Sequence, residues 1–241
     1  GYDRFTNEQM FLGYELEHRL NDVWTLRQNL RLARVETDTQ RVQGAALMGN
    51  NLVRYAWAFP EKSDSLTLDN QALATFTLGQ AQHQVLLGLD YQQEDGTYDE
   101  HFDGLNVSPI DLGTLAYTGD AVKPPLTTRR EQERYQVGAY LQDEIAIHGF
   151  TLHLAGRYDL ANADNTTRNI VAGTKTRVDQ RDEAFSGRVG LVYEFDNGLA
   201  PYVSYSESFL PTSGTDASGN ALNPTEGKQY ELGLRYQPVG G

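Results

Sequence analysis

The chain has 241 residues, 39% of them hydrophobic, with a formal net charge of −13 and no cysteine. That excludes a disulfide framework and cysteine-based zinc, thiol or iron–sulfur chemistry, and the lack of a basic stripe argues against a nucleic-acid partner. The mean hydropathy is −0.55 and the apolar runs are only a few residues long, so there is no helical membrane span, which needs ~20 apolar residues. A β-barrel stays open, because barrel strands turn only every second residue toward lipid. An ordinary β-sandwich also fits the 14 Tyr and 23 Gly.

The N-terminal GYDRFTNEQMF lacks the basic and apolar regions of a secretory leader, and residue 1 is not Met. The expectation is an internal piece of a longer protein. Residues 12–20 alternate: Leu12, Tyr14, Leu16 and Leu20 share a face with His18, against Gly13, Glu15, Glu17 and Arg19. Asn21-Asp22 makes a short turn. Residues 24–34 set Trp24, Leu26, Leu30 and Leu32 against Thr25, Arg27, Asn29 and Arg31. Period 2 fits here and period 3.6 does not. The polar stretch 36–50 is expected as a loop.

Residues 51–78 change parity. Val53, Tyr55, Trp57 and Phe59 are odd-numbered, whereas Leu66, Leu68, Ala72, Ala74, Phe76 and Leu78 are even-numbered. One long strand with a bulge between Pro60 and Asp64 reconciles the two rows. After a short turn at 79–82, Val85, Leu87, Leu89 and Tyr91 oppose Gln84, Gly88, Asp90 and Gln92. Residues 95–130 are expected as the longest loop, and loops of that length are usually functional.

Residues 134–147 form a strand whose apolar row, Val137, Ala139, Leu141, Ile145 and Ile147, is broken by Asp143. His148-Gly149 is a turn, and Phe150, Leu152, Leu154 and Tyr158 oppose Thr151, His153, Arg157 and Asp159. Residues 162–181 are expected as a polar loop. The clearest hairpin is Glu183–Phe209, EAFSGRVGLVYEFDNGLAPYVSYSESF. Phe185, Gly187, Val189, Leu191, Tyr193 and Phe195 share a face up to the Asp196-Asn197-Gly198 turn, whose Asn and Gly tolerate positive φ. A loop at 210–226 precedes the last strand, where Tyr230, Leu232, Leu234 and Tyr236 oppose Gln229, Glu231, Gly233 and Arg235.

The expected fold is all-β: about nine antiparallel up-and-down strands, with short turns alternating with longer loops. Trp24, Phe150, Tyr193, Phe195 and Tyr236 fall beside the short turns, as an interfacial aromatic belt would. Catalysis has little support. The serines at 204, 206 and 208 lack a GxSxG elbow. The five histidines show no metal-ligand spacing, and GLDYQQEDG is not a calcium loop.

The segments QNLRLAR, HQVLLGLDY, VGAYLQDEI, LHLAGRYD, GRVGLVYEFDNGLAPYVSYSESFLPTSG and PTEGKQYELGLRYQP together resemble the barrel of TonB-dependent siderophore receptors, most closely the ferrichrome and hydroxamate branch. The resemblance implies a partial transmembrane barrel over 1–241, part of a larger 22-stranded barrel in the outer membrane of a Gram-negative cell, with no plug domain in this chain. It implies uptake of a ferric siderophore powered by TonB acting through the plug. Iron would be cargo within its chelate, with no resident cofactor or metal. The partners would be the siderophore, the protein's own plug and outer-membrane lipid. The wet-face residues Arg27, Arg31, Asp90, Arg157, Asp159, Arg188, Glu231 and Arg235 would then line the lumen and grip the plug; otherwise they are a solvated sheet face. Tyr98, His101, Phe102 and Tyr117, in the longest expected loop, become candidate ligand contacts, against packing of the loop on itself. The competing readings are a passive porin-like channel and a soluble β-sheet binding module.

Overall fold

The computed structural model describes residues 1–241 except 117, 118, 213, 215, 217, 218 and 239–241. Ten strands form one antiparallel sheet: β1 (Arg4–Arg19), β2 (Trp24–Met48), β3 (Asn51–Leu78), β4 (Ala81–Phe102), β5 (Val107–Asp111), β6 (Leu126–Ile147), β7 (Phe150–Asn169), β8 (Thr174–Tyr193), β9 (Leu199–Leu210) and β10 (Thr225–Tyr236). Nine of them pair in chain order, and the short β5 adds to β3 beyond the end of β4. The sheet is not closed on itself.

Alternation assigns the faces. One face carries the leucine, valine and tyrosine rows, and these are bare: Leu232 is 87% exposed, Tyr230 77% and Phe185 68%. No large side chain among the described residues is fully buried. A soluble sandwich would lay a second sheet over these rows. Among the described residues nothing covers them.

Aromatics border this face at two levels. Beside the short turns, the Phe150 and Tyr193 rings stand 4.4 Å apart and Tyr193 and Phe195 4.6 Å apart. Tyr91, Tyr135, Tyr158, Phe185, Tyr205 and Tyr230 form the other row, with the Tyr205 and Tyr230 rings 4.8 Å apart. Phe185 and Tyr193 lie on one strand. Their spacing, at ~3.3 Å per residue and a ~40° tilt, puts the two rows ~20 Å apart, close to the ~25 Å apolar band of a membrane barrel.

The strands run well past the apolar rows. The expected loop 36–50 is strand up to Met48, 95–130 is strand up to Phe102 and again from Leu126, and 162–181 is strand except for the turn at 170–173. The first strand likewise begins at Arg4. Beyond the apolar rows both faces are polar, so the hydrophobic period disappears while the backbone ladder continues. Cross-strand charges support it: Arg34 bonds Asp64 at 2.6 Å, Arg168 bonds Glu131 at 3.2 Å, and Arg134 meets Glu94 and Arg177 meets Asp164 in close pairs. Such pairs each add ~0.2–1 kcal/mol to a ladder.

The pair with the best geometry is Arg129 with Asp99, where Nε and Nη2 donate to the two carboxylate oxygens at 2.7 and 2.6 Å. These hydrogen bonds hold the Asp99 carboxyl below its ordinary range, against the opposing effect of burial. A depressed pKa stabilises the folded state above the unfolded value of ~3.9 and ceases to do so as pH falls through the folded value. Asp99→Asn is therefore expected to speed backbone hydrogen exchange near the β4–β6 tip at pH 6, by up to about fivefold for an exposed pair. The two proteins should converge near pH 3. Equal exchange at pH 6 would show that the pair contributes nothing.

β3 is one strand, as expected, but there is no bulge at 60–64. The pairing with β2 runs without a shift from Trp24↔Ala74 to Gly44↔Arg54, and the irregularity falls between Gly44 and Ala46. On the β4 side the register is Ala58↔His101 before the proline and Glu61↔Tyr98 after it, the same register with two rungs missing. Pro60 has no N–H to donate, so it interrupts the ladder without moving it. Tyr55, Trp57 and Phe59 therefore keep their odd parity and lie on the polar face.

Asp143 remains on the apolar face, as the alternation requires. His83 on the neighbouring β4 approaches it, Nδ1 to Oδ2 at 3.0 Å, and the His83 ring stacks on Phe76 at 5.1 Å. The charge that broke the row thus has a polar partner. The Asp196–Gly198 turn is wider than a two-residue loop, since β8 ends at Tyr193 and β9 begins at Leu199. Only Gly198 of the three has positive φ, at 83°.

Candidate functional site

Two groups of residues stand out on the polar face. The first sits at mid-height on β3, β4, β6 and β7. Register lays out two adjacent rows, Asp69–Asp90–Gly138–Asp159 and Gln71–Gly88–Tyr140–Arg157. Arg157 leans across Gly138. Its Nη1 and Nη2 donate to Asp90 at 2.5 and 3.0 Å, and its Nε donates to the Asp159 oxygens at 2.9 and 2.8 Å. Gln136 donates to Asp159 at 2.7 Å. Tyr140 leans the same way across Gly88; its hydroxyl donates to Asp69 at 2.9 Å and accepts from Gln71 at 3.1 Å.

The two glycines make this possible. A Cβ at 138 would stand 1.9 Å from the Arg157 guanidinium, and one at 88 would stand 1.9 Å from the Tyr140 ring. Asp90 and Asp159 are 7% and 3% exposed. Buried carboxylates of this kind need a bound cation, and Arg157 supplies it.

Three of the eight expected wall residues, Asp90, Arg157 and Asp159, are thus mutual partners. Most of the others are also engaged within the sheet. Arg27 donates to Glu17 at 2.7 Å, Arg31 lies 4.7 Å from the Phe11 ring centre, Glu231 accepts from Ser204 at 3.3 Å, and Arg235 donates to Gln237 at 3.2 Å. Arg188 differs: it is exposed on the polar face, opposite Ser206, and has no ion pair or hydrogen bond among the described residues.

The second group lies at the outer end, beyond the upper aromatic row. Trp57 on β3 faces Phe102 on β4, and Tyr55 meets Phe102 edge-on at 5.4 Å between ring centres. Trp57 and Phe59 meet edge-on at 4.7 Å. The indole N–H of Trp57 donates to Gln43 at 3.3 Å, and the Tyr2 hydroxyl donates to the Trp57 carbonyl at 3.2 Å. Tyr98 shares this face opposite Glu61, and burial raises its hydroxyl pKa.

The four expected ligand contacts therefore separate. Tyr98 and Phe102 lie on β4 rather than in a loop, and they join the aromatic patch. His101 faces the other way, opposite Ala58, and its Nδ1 is 2.9 Å from the Pro124 carbonyl, tethering the 103–125 segment. Tyr117 lies outside the described residues. Tyr55, Trp57 and Phe59 were missed because a bulge was expected to place them in the lipid-facing row.

Between the two groups, the polar face encloses a cavity of about 290 Å³ lined by Gln92, Glu94, Arg134, Gln136, Gln180 and Leu210. No group of three or more His, Asp or Glu among the described residues is arranged to hold a metal ion.

The sequence matches the family described as TonB dependent receptor-like, beta-barrel, over residues 1–241. The chain belongs to this family. It is 32% identical over 241 residues to the ferrioxamine B receptor of Salmonella typhimurium, covering 100% of this chain and 34% of that protein. It is 35% identical over 259 residues to the ferrichrome outer membrane transporter/phage receptor of Escherichia coli K12, covering 96% and 34%. Among solved structures, the ferric-catecholate import receptor Fiu of E. coli K12 superposes with a TM-score of 0.80 at 17% identity, covering 99% of this chain and 39% of that one. The chain thus spans about a third of the length of the curated relatives it matches. As a TonB-dependent receptor barrel, its bare apolar face is the lipid face and its polar face is the lumen wall.

Proposed function

We propose that the chain forms part of the wall of an outer-membrane receptor that takes up a ferric siderophore, energised in the whole protein by TonB acting on a plug domain. The observation that carries this reading is the aromatic patch Tyr55, Trp57, Phe59, Tyr98 and Phe102, on the lumen face and beyond the upper girdle. A ferric hydroxamate presents an apolar, rounded shell with few free polar groups. Rigid aromatic faces suit such a surface, since they bury large area and lose little rotamer entropy. The siderophore oxygens already fill the coordination sphere of iron, so the wall need only recognise the outside of the chelate. The names of the similar receptors, for ferrioxamine B and ferrichrome, favour the hydroxamate class.

The wall residues then divide by role. The Arg157 network braces the sheet, because its guanidinium is bonded to carboxylates of the wall itself. Arg188, without an ion pair or hydrogen bond among the described residues, is a cation free to meet an acidic group of the plug. The lipid face, with its two aromatic rows, seats the barrel in the membrane.

Uptake of radioiron by cells carrying the full-length receptor tests the reading. Ferric hydroxamates are expected to enter at nanomolar concentration, and uptake should cease when TonB is removed. Uptake that persists without TonB and does not saturate would identify a passive channel instead.

A further inference from the structure

The aromatic patch has a cation built into it. Arg41 of β2 stands directly across the ladder from Trp57, and facing residues hold their Cβ atoms ~4.5–5.5 Å apart. Arg41 is exposed and makes no ion pair or hydrogen bond among the described residues. The carboxylates nearest to it in sequence and register bond other groups and not Arg41. Asp3 accepts from the Val42 amide at 2.7 Å, Asp38 takes Arg4 at 2.5 Å and Gln40 at 2.9 Å, and Glu61 accepts from Thr37 at 3.1 Å. Six other arginines of the sheet, Arg34, Arg129, Arg130, Arg134, Arg168 and Arg177, are each in an ion pair with an acid.

An unpaired guanidinium across the ladder from Trp57, at the border of the aromatic patch, is a half-built anion site. Its planar fork matches a carboxylate in two parallel hydrogen bonds. The adjacent rings exclude water when a ligand docks, which strengthens the attraction. The chain's net charge of −13 does not cancel this, since charges beyond ~8 Å are screened at physiological salt.

We infer that Arg41 sets the charge preference of the ligand site, selecting ferric siderophores that keep a free carboxylate after iron is chelated over neutral or cationic ones. This rests on the siderophore reading above and goes beyond it, because an aromatic wall alone does not distinguish ligand charge.

The test uses purified full-length receptor and three ferric probes: ferrichrome, which is neutral; ferrioxamine B, which carries a free ammonium; and a citrate-bis-hydroxamate chelate with an uncomplexed carboxylate. Wild type is expected to bind the carboxylate probe tightest. Arg41→Gln should weaken that probe roughly 10- to 100-fold, the range for a hydrogen bond to a charged group, and leave ferrichrome within about twofold. Arg41→Glu should reverse the order and favour ferrioxamine B, while Arg41→Lys should keep the wild-type order. An equal loss for all three probes, or undiminished carboxylate binding in Arg41→Gln, overturns the charge role while leaving siderophore binding intact. Failure of wild type to bind any of the three overturns the siderophore reading as well.

Discussion

Replacing Arg157 with alanine is expected to destabilise the barrel wall by about 3–5 kcal/mol, the usual cost of removing one member of a buried ion pair. The reason is what stays behind. Asp90 and Asp159 are 7% and 3% exposed, and both would lose the one guanidinium they share. They flank Gly138 in one row, and Asp69 faces Asp90 directly. Like charges opposite one another destabilise a ladder. Gly138→Ala should act in the same direction with a smaller effect, since the new Cβ displaces the guanidinium and leaves it in the sheet. Urea unfolding of the full-length receptor in detergent measures both. The control is Arg157→Met combined with Asp90→Asn and Asp159→Asn, which removes all three charges and should recover most of the loss. An Arg157→Ala protein within about 0.5 kcal/mol of wild type, the scatter of ordinary surface substitutions, would sink the bracing role.

The second large effect concerns the ligand. Trp57→Ala and Phe102→Ala, each in the full-length receptor, are expected to weaken ferric hydroxamate binding by about 2 kcal/mol, or roughly 30-fold in Kd, as truncation of a central aromatic anchor does. Tyr98→Ala, at the edge of the patch, should cost less. His101→Ala should leave affinity unchanged, because its side chain points to the other face and holds Pro124. The amount of receptor in the membrane should stay constant throughout, since no large side chain in this region is fully buried. Equal affinity for wild type and the Trp57 and Phe102 variants would move the ligand site off this wall.

Much of the wall was legible because one physical period wrote it. Wherever lipid touches one face and the lumen the other, residues alternate, so the rows ending in Tyr193 and Tyr236 declare their strands and sides. The expected loops failed for the converse reason. Once a strand leaves the membrane both faces are wet, and a stretch such as Arg129–Gln136 no longer alternates in hydropathy. Its extension is held by the ladder and by charges on the next strand, Asp99 and Glu94 for Arg129 and Arg134, and those pairings are not local in sequence.

The candidate site was half legible. Tyr98 and Phe102 could be singled out as aromatics in what was expected to be the longest loop, although they lie on β4. The side they share with Trp57 could not, because the parity of Tyr55, Trp57 and Phe59 depends on whether a bulge follows them. Pro60 suggests one, but it removes only its own hydrogen bond. The unbroken register with β2 decides the matter.

The sequence by itself determined that this chain is a run of antiparallel strands with one apolar and one polar face, because side chains alternate across a strand and an apolar surround tolerates polar residues only at every other position. Only the tertiary structure decided which charges are partners, that Asp143 meets His83, and that the odd aromatics of β3 face the lumen. Cross-strand register joins residues tens of positions apart, and a local pattern carries no record of which strand, or which rung, lies opposite.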